Sequence, residues 1–180
     1  MDDDIPSAFA RVGMITHHFE QCEYYLSEIF QLLCEADNDA PFQIFGQIVS
    51  SNMRLGMTRT AIAHCFRRPC NMKTELIELL AKFERCQALR NKAVHASLIP
   101  IIKRKKLHHF VRPLEHQTLR FKAGALKPGR QFSLKELADA DEQLFVLALE
   151  MKQAVRLLAA QLGERKRKRL LKLMPLLAPR

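Results

Sequence analysis

The stretch Leu89-Arg90-Asn91-Lys92-Ala93-Val94-His95-Ala96 stands near the end of a long helical pattern. At about 100° per residue, the pattern gathers Leu76, Leu79, Leu80, Phe83, Cys86, Val94 and Leu98 on one face. Arg90 falls inside that apolar arc beside Phe83 and Cys86, Asn91 at its shoulder, and His95 at its edge near Ile77. Unpaired charge on a buried face is costly enough to be avoided. Two readings answer the cost: an internal polar network that fixes packing, or a site that handles a phosphate.

Outward from this stretch, the spacing predicts a helix over 73–98 and three more like it. Over 7–34, Phe9, Val12, Phe19, Cys22, Leu26, Phe30 and Leu33 recur at threes and fours, with Ser7 as N-cap. Asp37-Asn38-Asp39-Ala40-Pro41 ends that run. Its one misfit is Glu23, which falls between Phe19 and Leu26 on the inner face. A second helix is expected over 42–66, with Ile44, Phe45, Ile48, Met53, Leu55, Ala61, Ile62 and Phe66 as its apolar set. From 100 to 131 the helical period is lost, and Leu107–Val111 with Thr118–Lys122 read as two short strands of a hairpin. Ser133-Leu134-Lys135-Glu136 fits a capping box that opens the last helix, expected to end near Gly163. The expected architecture is all-α: an up-and-down bundle of four long helices over 1–163, with a basic insertion before the last, then a basic and apolar tail over 164–180.

Charge narrows the partners. The chain of 180 residues carries a net charge of +10, and its pI is near 9.7. Lys103, Arg104, Lys105, Lys106, Arg112, Arg120, Lys122, Lys127 and Arg130 face only Glu115, which makes 101–130 a cationic segment directly after His95. Such a surface attracts polyanions, nucleic acid first. The five cysteines (22, 34, 65, 70 and 86) form no C-x-x-C pair and read as reduced thiols. The acidic start Met1-Asp2-Asp3-Asp4 is unlike a signal peptide, and no apolar run approaches a membrane span, so a cytoplasmic location is expected. Histidines at 17, 18, 108, 109 and 116 invite a metal, but neighbouring helical histidines diverge by about 100° and no carboxylate or cysteine recurs at ligand spacing. No metal and no cofactor is expected.

An Arg-x4-His spacing alone singles out nothing, because Arg59–His64 and Arg104–His109 share it. The inward geometry, the adjacent Asn91 and the cationic segment that follows are what distinguish Arg90–His95. In that place, Arg90-Asn91-Lys92-Ala93-Val94-His95 resembles the motif of the HEPN superfamily (higher eukaryote and prokaryote nucleotide-binding): arginine, a polar residue, three to five residues, then histidine, near the end of a core helix. The resemblance covers about 7–162 and implies a helical bundle with metal-independent ribonuclease activity, its site assembled where two motifs meet in a homodimer. It implies His95 as acid or base, Arg90 on the phosphate, Asn91 orienting His95 or donating a hydrogen bond to the substrate, and Glu23 as the inner-face glutamate that pairs with Arg90. It also implies RNA as substrate; Lys103, Arg104, Lys105, Lys106, Arg112 and Arg120, in a segment that matches no part of the family pattern, are expected to meet its phosphates because of their charge density. Toxin–antitoxin pairing is expected on the same ground, with a nucleotidyltransferase-type antitoxin acting in trans. The residues themselves leave the other outcome open: a non-catalytic RNA-binding or protein-interaction bundle in which Arg90 and Glu23 form a structural ion pair.

Overall fold

The computed structural model describes residues 4–34, 40–94, 96–103, 106–113 and 134–173. Their elements in order are α1 (Asp4–Leu33), α2 (Ala40–Gln47), α3 (Ser51–Cys65), α4 (Asn71–Val94), β1 (Ala96–Lys103), β2 (Lys106–Pro113) and α5 (Leu134–Leu173). The described chain is thus helical apart from one antiparallel strand pair. Among the described residues no helix is long and apolar enough to cross a membrane.

Several element boundaries differ from the sequence expectation. The segment expected as one helix over 42–66 is two, broken at 48–50. Ser50 sits in an extended conformation (φ −84°, ψ 115°) and its hydroxyl accepts the Met53 amide at 3.4 Å, which starts α3 afresh. The carbonyl of Ile48 is meanwhile taken by the Arg54 Nε–H at 2.7 Å. The α4 helix stops at Val94 rather than running to Leu98, and β1 begins at Ala96. Leu98 falls on the helical apolar face, but Pro100 cannot continue a helix and the isoleucines at 99, 101 and 102 around it suit a strand. Leu107–Val111 pairs with Leu98–Ile102, in the register Leu98↔Val111 to Ile102↔Leu107, a pairing the sequence reading did not anticipate. The 118–122 segment lies outside the described residues. Lastly, α1 begins at Asp4, so Ser7 is inside it rather than capping it, and α5 continues ten residues past Gly163 to Leu173.

The chain forms two compact units, and α1, α4 and α5 each contribute to both. One unit comprises 1–22 and 82–148. Its core holds Ile15, Phe19 and Cys22 from α1, Phe83, Cys86 and Ala93 from α4, and Leu137, Leu144 and Leu147 from α5. Phe19 stacks on Phe83 with ring centroids 5.2 Å apart, and the Cys22 thiol donates to the Leu144 carbonyl. The other unit comprises 23–81 and 149–180. There Leu26, Ile29, Phe30 and Leu33 meet Phe45 of α2, Leu55 and Ile62 of α3, Leu76, Leu79 and Leu80 of α4, and Met151, Leu158 and Leu162 of α5 among the buried residues. Each fully buried large side chain contributes about 1.5–3 kcal/mol. Three residues expected in the core are outside it: Phe9, Ile44 and Met53 are exposed. Breaking the 42–66 helix frees Ile44 and Met53 from the shared face that a continuous helix would have imposed.

Candidate functional site

Arg90 sits one turn before the end of α4, half-buried, with its guanidinium carbon 5.3 Å above the centre of the Phe19 ring. One nitrogen, Nη1, donates to Asn91 Oδ1 at 3.1 Å. The ring supports the cation by its quadrupole and the amide fixes the rotation of the fork. Nε is buried and meets no acceptor among the described residues, and one turn earlier Gln87 Oε1 is likewise buried without a donor among them. Orphaned groups of this kind cost about 1–3 kcal/mol each. Arg90 has no ion pair among the described residues.

The expected partner of Arg90 is engaged elsewhere. Glu23 Oε1 accepts from the Ser51 hydroxyl at 2.7 Å and lies 3.3 Å from Arg54 Nη1. Glu23 is part-shielded on α1, and the arginine beside it is Arg54 rather than Arg90. Helix α3 starts afresh at Ser51 and brings both Ser51 and Arg54 to Glu23, a consequence of the break at 48–50 that no helical wheel of 42–66 contains. The structural ion pair drawn between Glu23 and Arg90 is replaced by Glu23–Arg54.

The other expected site residues divide by position. Asn91 is exposed and bonded to Arg90. His95, Arg104, Lys105 and Arg120 lie outside the described residues. Lys103 ends β1, where it pairs in register with Lys106, and Arg112 on β2 stands opposite Ser97. The backbone thus brings Lys103 and Lys106 together at one end of the hairpin, while Arg112 is near the end that follows α4.

One polar cluster was not anticipated. Buried Asp141 of α5 accepts from Arg11 Nη1 at 2.8 Å through Oδ2, and its Oδ1 lies 3.0 Å from His18 Nδ1. The ring of His18 packs tilted against Phe145 at 5.3 Å. A carboxylate on Nδ1 holds the ring in one orientation. Its neighbour His17 instead meets Gln21 on the exposed side of α1. Arg11 and His18 are seven residues apart, two helical turns, and this spacing was the available signal. The partner was hidden because Asp141 lies in a run of acidic and alanine residues that reads as helix surface. Among the described residues no three His, Cys, Asp or Glu side chains converge as a metal site would require.

Two titrating groups are displaced by their surroundings. Glu28 accepts from the Tyr24 hydroxyl at 2.8 Å, and this bond and the carboxylate's charge hold the phenol above its ordinary range. Burial pushes the Cys34 thiol up, away from the reactive thiolate. Compared with family models, curated proteins and solved structures, the chain matches none.

Proposed function

We propose that the chain binds RNA at the C-terminal end of α4 and cleaves it there without a metal ion. The observation that carries this is Arg90: a guanidinium held in place by a ring and an amide yet not neutralised by any carboxylate among the described residues. A structural arginine ordinarily has an acidic partner. This one has a fixed orientation and spare donors, the arrangement a phosphate oxygen would complete. The helix C-terminus carries partial negative charge that opposes an anion, so cations are needed there. Arg90 and Lys92 on the helix and the cations of the following strands answer that need.

In this reading the RNA 2′-hydroxyl attacks its own phosphate. The 2′-oxygen–phosphorus bond forms, the phosphorus–5′-oxygen bond breaks, His95 takes the 2′ proton, and a proton returns to the leaving 5′-oxygen. The products are a 2′,3′-cyclic phosphate and a 5′-hydroxyl. Arg90 stabilises the charge that builds on the phosphate oxygens, and Asn91 keeps its fork aligned. Cleavage measured in EDTA tests the proposal. Wild type should cut single-stranded RNA, and His95→Ala should lose about 100-fold or more; equal rates for the two, or none for wild type, would remove the enzymatic claim.

The second reading, RNA binding without cleavage, is favoured by one observation. Glu23, the carboxylate expected to brace Arg90, is committed to Arg54 and Ser51. On this reading RNA affinity falls steeply with salt and depends on Lys103, Lys106 and Arg112, while substrate length never changes.

A further inference from the structure

We infer that one face of the β1–β2 hairpin is a platform on which the bases of single-stranded nucleic acid stack, whatever the sugar. The inference deepens the RNA reading above and rests on it for the class of partner. Directly opposed residues of an antiparallel pair share a face, and successive residues of a strand alternate between faces. The register runs unbroken from Ala96↔Pro113 to Lys103↔Lys106, so it assigns every position of both strands to a face.

The two faces differ in kind. Every lysine and arginine of the two strands, namely Lys103, Lys106 and Arg112, falls on one of them. The same face carries His108 and Phe110, two residues apart on β2, with Ile101 and Ile99 directly across from them. The other face carries Leu98, Pro100, Ile102, Leu107, His109 and Val111, and no cation. A two-stranded hairpin alone is only marginally stable in water, so one face needs cover. Composition suits the second face to that task and leaves the first for a ligand.

The chemistry of that face selects the occupant. Positions 108 and 110 are about 7 Å apart along β2 and supply two aromatic rings, with Lys103 and Lys106 at one end of the face and Arg112 towards the other. Rings bordered by cations suit a strand that offers bases and phosphates together. A base must be unpaired to lie on a ring, which disfavours a duplex. Stacking takes no account of the 2′-hydroxyl, so a DNA strand should bind as an RNA strand does. Anionic lipid is the poorer fit, because it calls for cations beside the larger apolar set, and here that set is on the opposite face. Arg112 stands opposite Ser97, three residues past Val94, so the platform leads from the hairpin to the Arg90 end of α4.

Fluorescence anisotropy of the full chain, treated to remove bound nucleic acid, tests this with a labelled oligothymidylate DNA. That probe has no 2′-hydroxyl, so cleavage plays no part in the measurement. At about 0.15 M salt, wild type should bind it about fivefold or more tightly than a DNA duplex of equal length. Phe110→Ala and His108→Ala should each weaken binding about fivefold or more. His109→Ala, one residue away but on the other face, should leave it unchanged. Phe110→Tyr keeps a ring and should bind as wild type does, which separates stacking from a folding defect. Removing Lys103 and Lys106 together should lower the salt slope by about 1.4. Equal affinity for strand and duplex, or equal losses from His108→Ala and His109→Ala, would overturn the platform. Preference for phosphatidylserine vesicles over the oligonucleotide, lost in Phe110→Ala, would overturn it too. RNA cleavage that survives without strand binding sinks this inference alone, whereas strand binding in this pattern without cleavage sinks only the enzymatic claim.

Discussion

Arg54 and Arg90 each lie over a phenylalanine ring, at 5.7 Å from the centre of Phe45 and 5.3 Å from that of Phe19. Beyond the ring they diverge. Arg54 spends its donors on a carboxylate and a carbonyl, Glu23 and Ile48, and both side chains of its ion pair are mostly shielded. Among the described residues, Arg90 has one neighbouring amide, no carboxylate, and a buried Nε without an acceptor. The first is a brace that fixes where α3 begins. The second is oriented but electrostatically unfinished. Residue type and a neighbouring aromatic do not separate the two roles; the presence or absence of the carboxylate does.

The sharpest way to break that contrast is to remove the unfinished arginine. Arg90→Ala should reduce RNA cleavage by about 100- to 1,000-fold, as expected for loss of one donor to a developing oxyanion. Its melting temperature should barely move, because the lost cation–π contact is worth only about 0.5–1 kcal/mol and the orphaned Nε disappears with it. A large drop in stability with cleavage intact would make Arg90 a second brace and end the distinction.

Asp141→Ala probes the other fully engaged carboxylate. It should cost about 2–3 kcal/mol, since it leaves Arg11 and the buried His18 ring without their shared acceptor. Chemical denaturation of the variant measures this. Asp141→Asn should recover part of the loss, because an amide oxygen still accepts from one of the two donors. Equal losses for both variants would assign the effect to packing rather than to the hydrogen bonds.

Smaller again is the brace itself. Glu23→Gln should cost about 1–2 kcal/mol, below a deeply buried pair because both partners keep some contact with water. In a double-mutant cycle with Arg54→Ala the two losses should not add, whereas Glu23→Gln and Arg90→Ala should be additive to within about 0.5 kcal/mol. Strong coupling to Arg90 instead would restore the pairing expected from sequence.

That pairing shows how far sequence reached. Amphipathic stretches and the inward faces of Phe19, Leu76, Phe83 and Cys86 were legible, because helical periodicity reports which side of an element is buried. That Glu23 is part-shielded on α1 was legible for the same reason. Its partner was not, since periodicity gives faces and not neighbours, and a break of three residues re-aimed the whole of α3. The hairpin was half legible: Leu107–Val111 had the composition of a strand, but its mate Leu98–Ile102 was concealed because Leu98 also fits a helical face. Arg11 and His18 share α1, but Asp141 lies far along the sequence on α5, so its meeting with them follows from tertiary packing alone.

The smallest expected effect tests the ordinary surface contact against which these networks are judged. Tyr24 and Glu28 are four residues apart on α1, one helical turn, and Tyr24 is 51% exposed. The Glu28 carboxylate accepts the phenol proton in a hydrogen bond and repels the phenolate, so the folded chain favours the protonated phenol and its titration is raised. The linked stability is therefore fully present below the phenol's ordinary range and is lost as pH rises through the raised folded value. Only two tyrosines are present, so a Tyr25→Phe background isolates the signal of Tyr24. In that background, absorbance of the phenolate should appear at lower pH in Glu28→Gln than in its parent, while melting temperature at neutral pH stays nearly constant because the bond is solvent-exposed. No displacement of the titration would mean that water, rather than Glu28, satisfies the hydroxyl. A marked change in melting temperature would mean that even this exposed pair braces α1, as Glu23 and Arg54 brace α3.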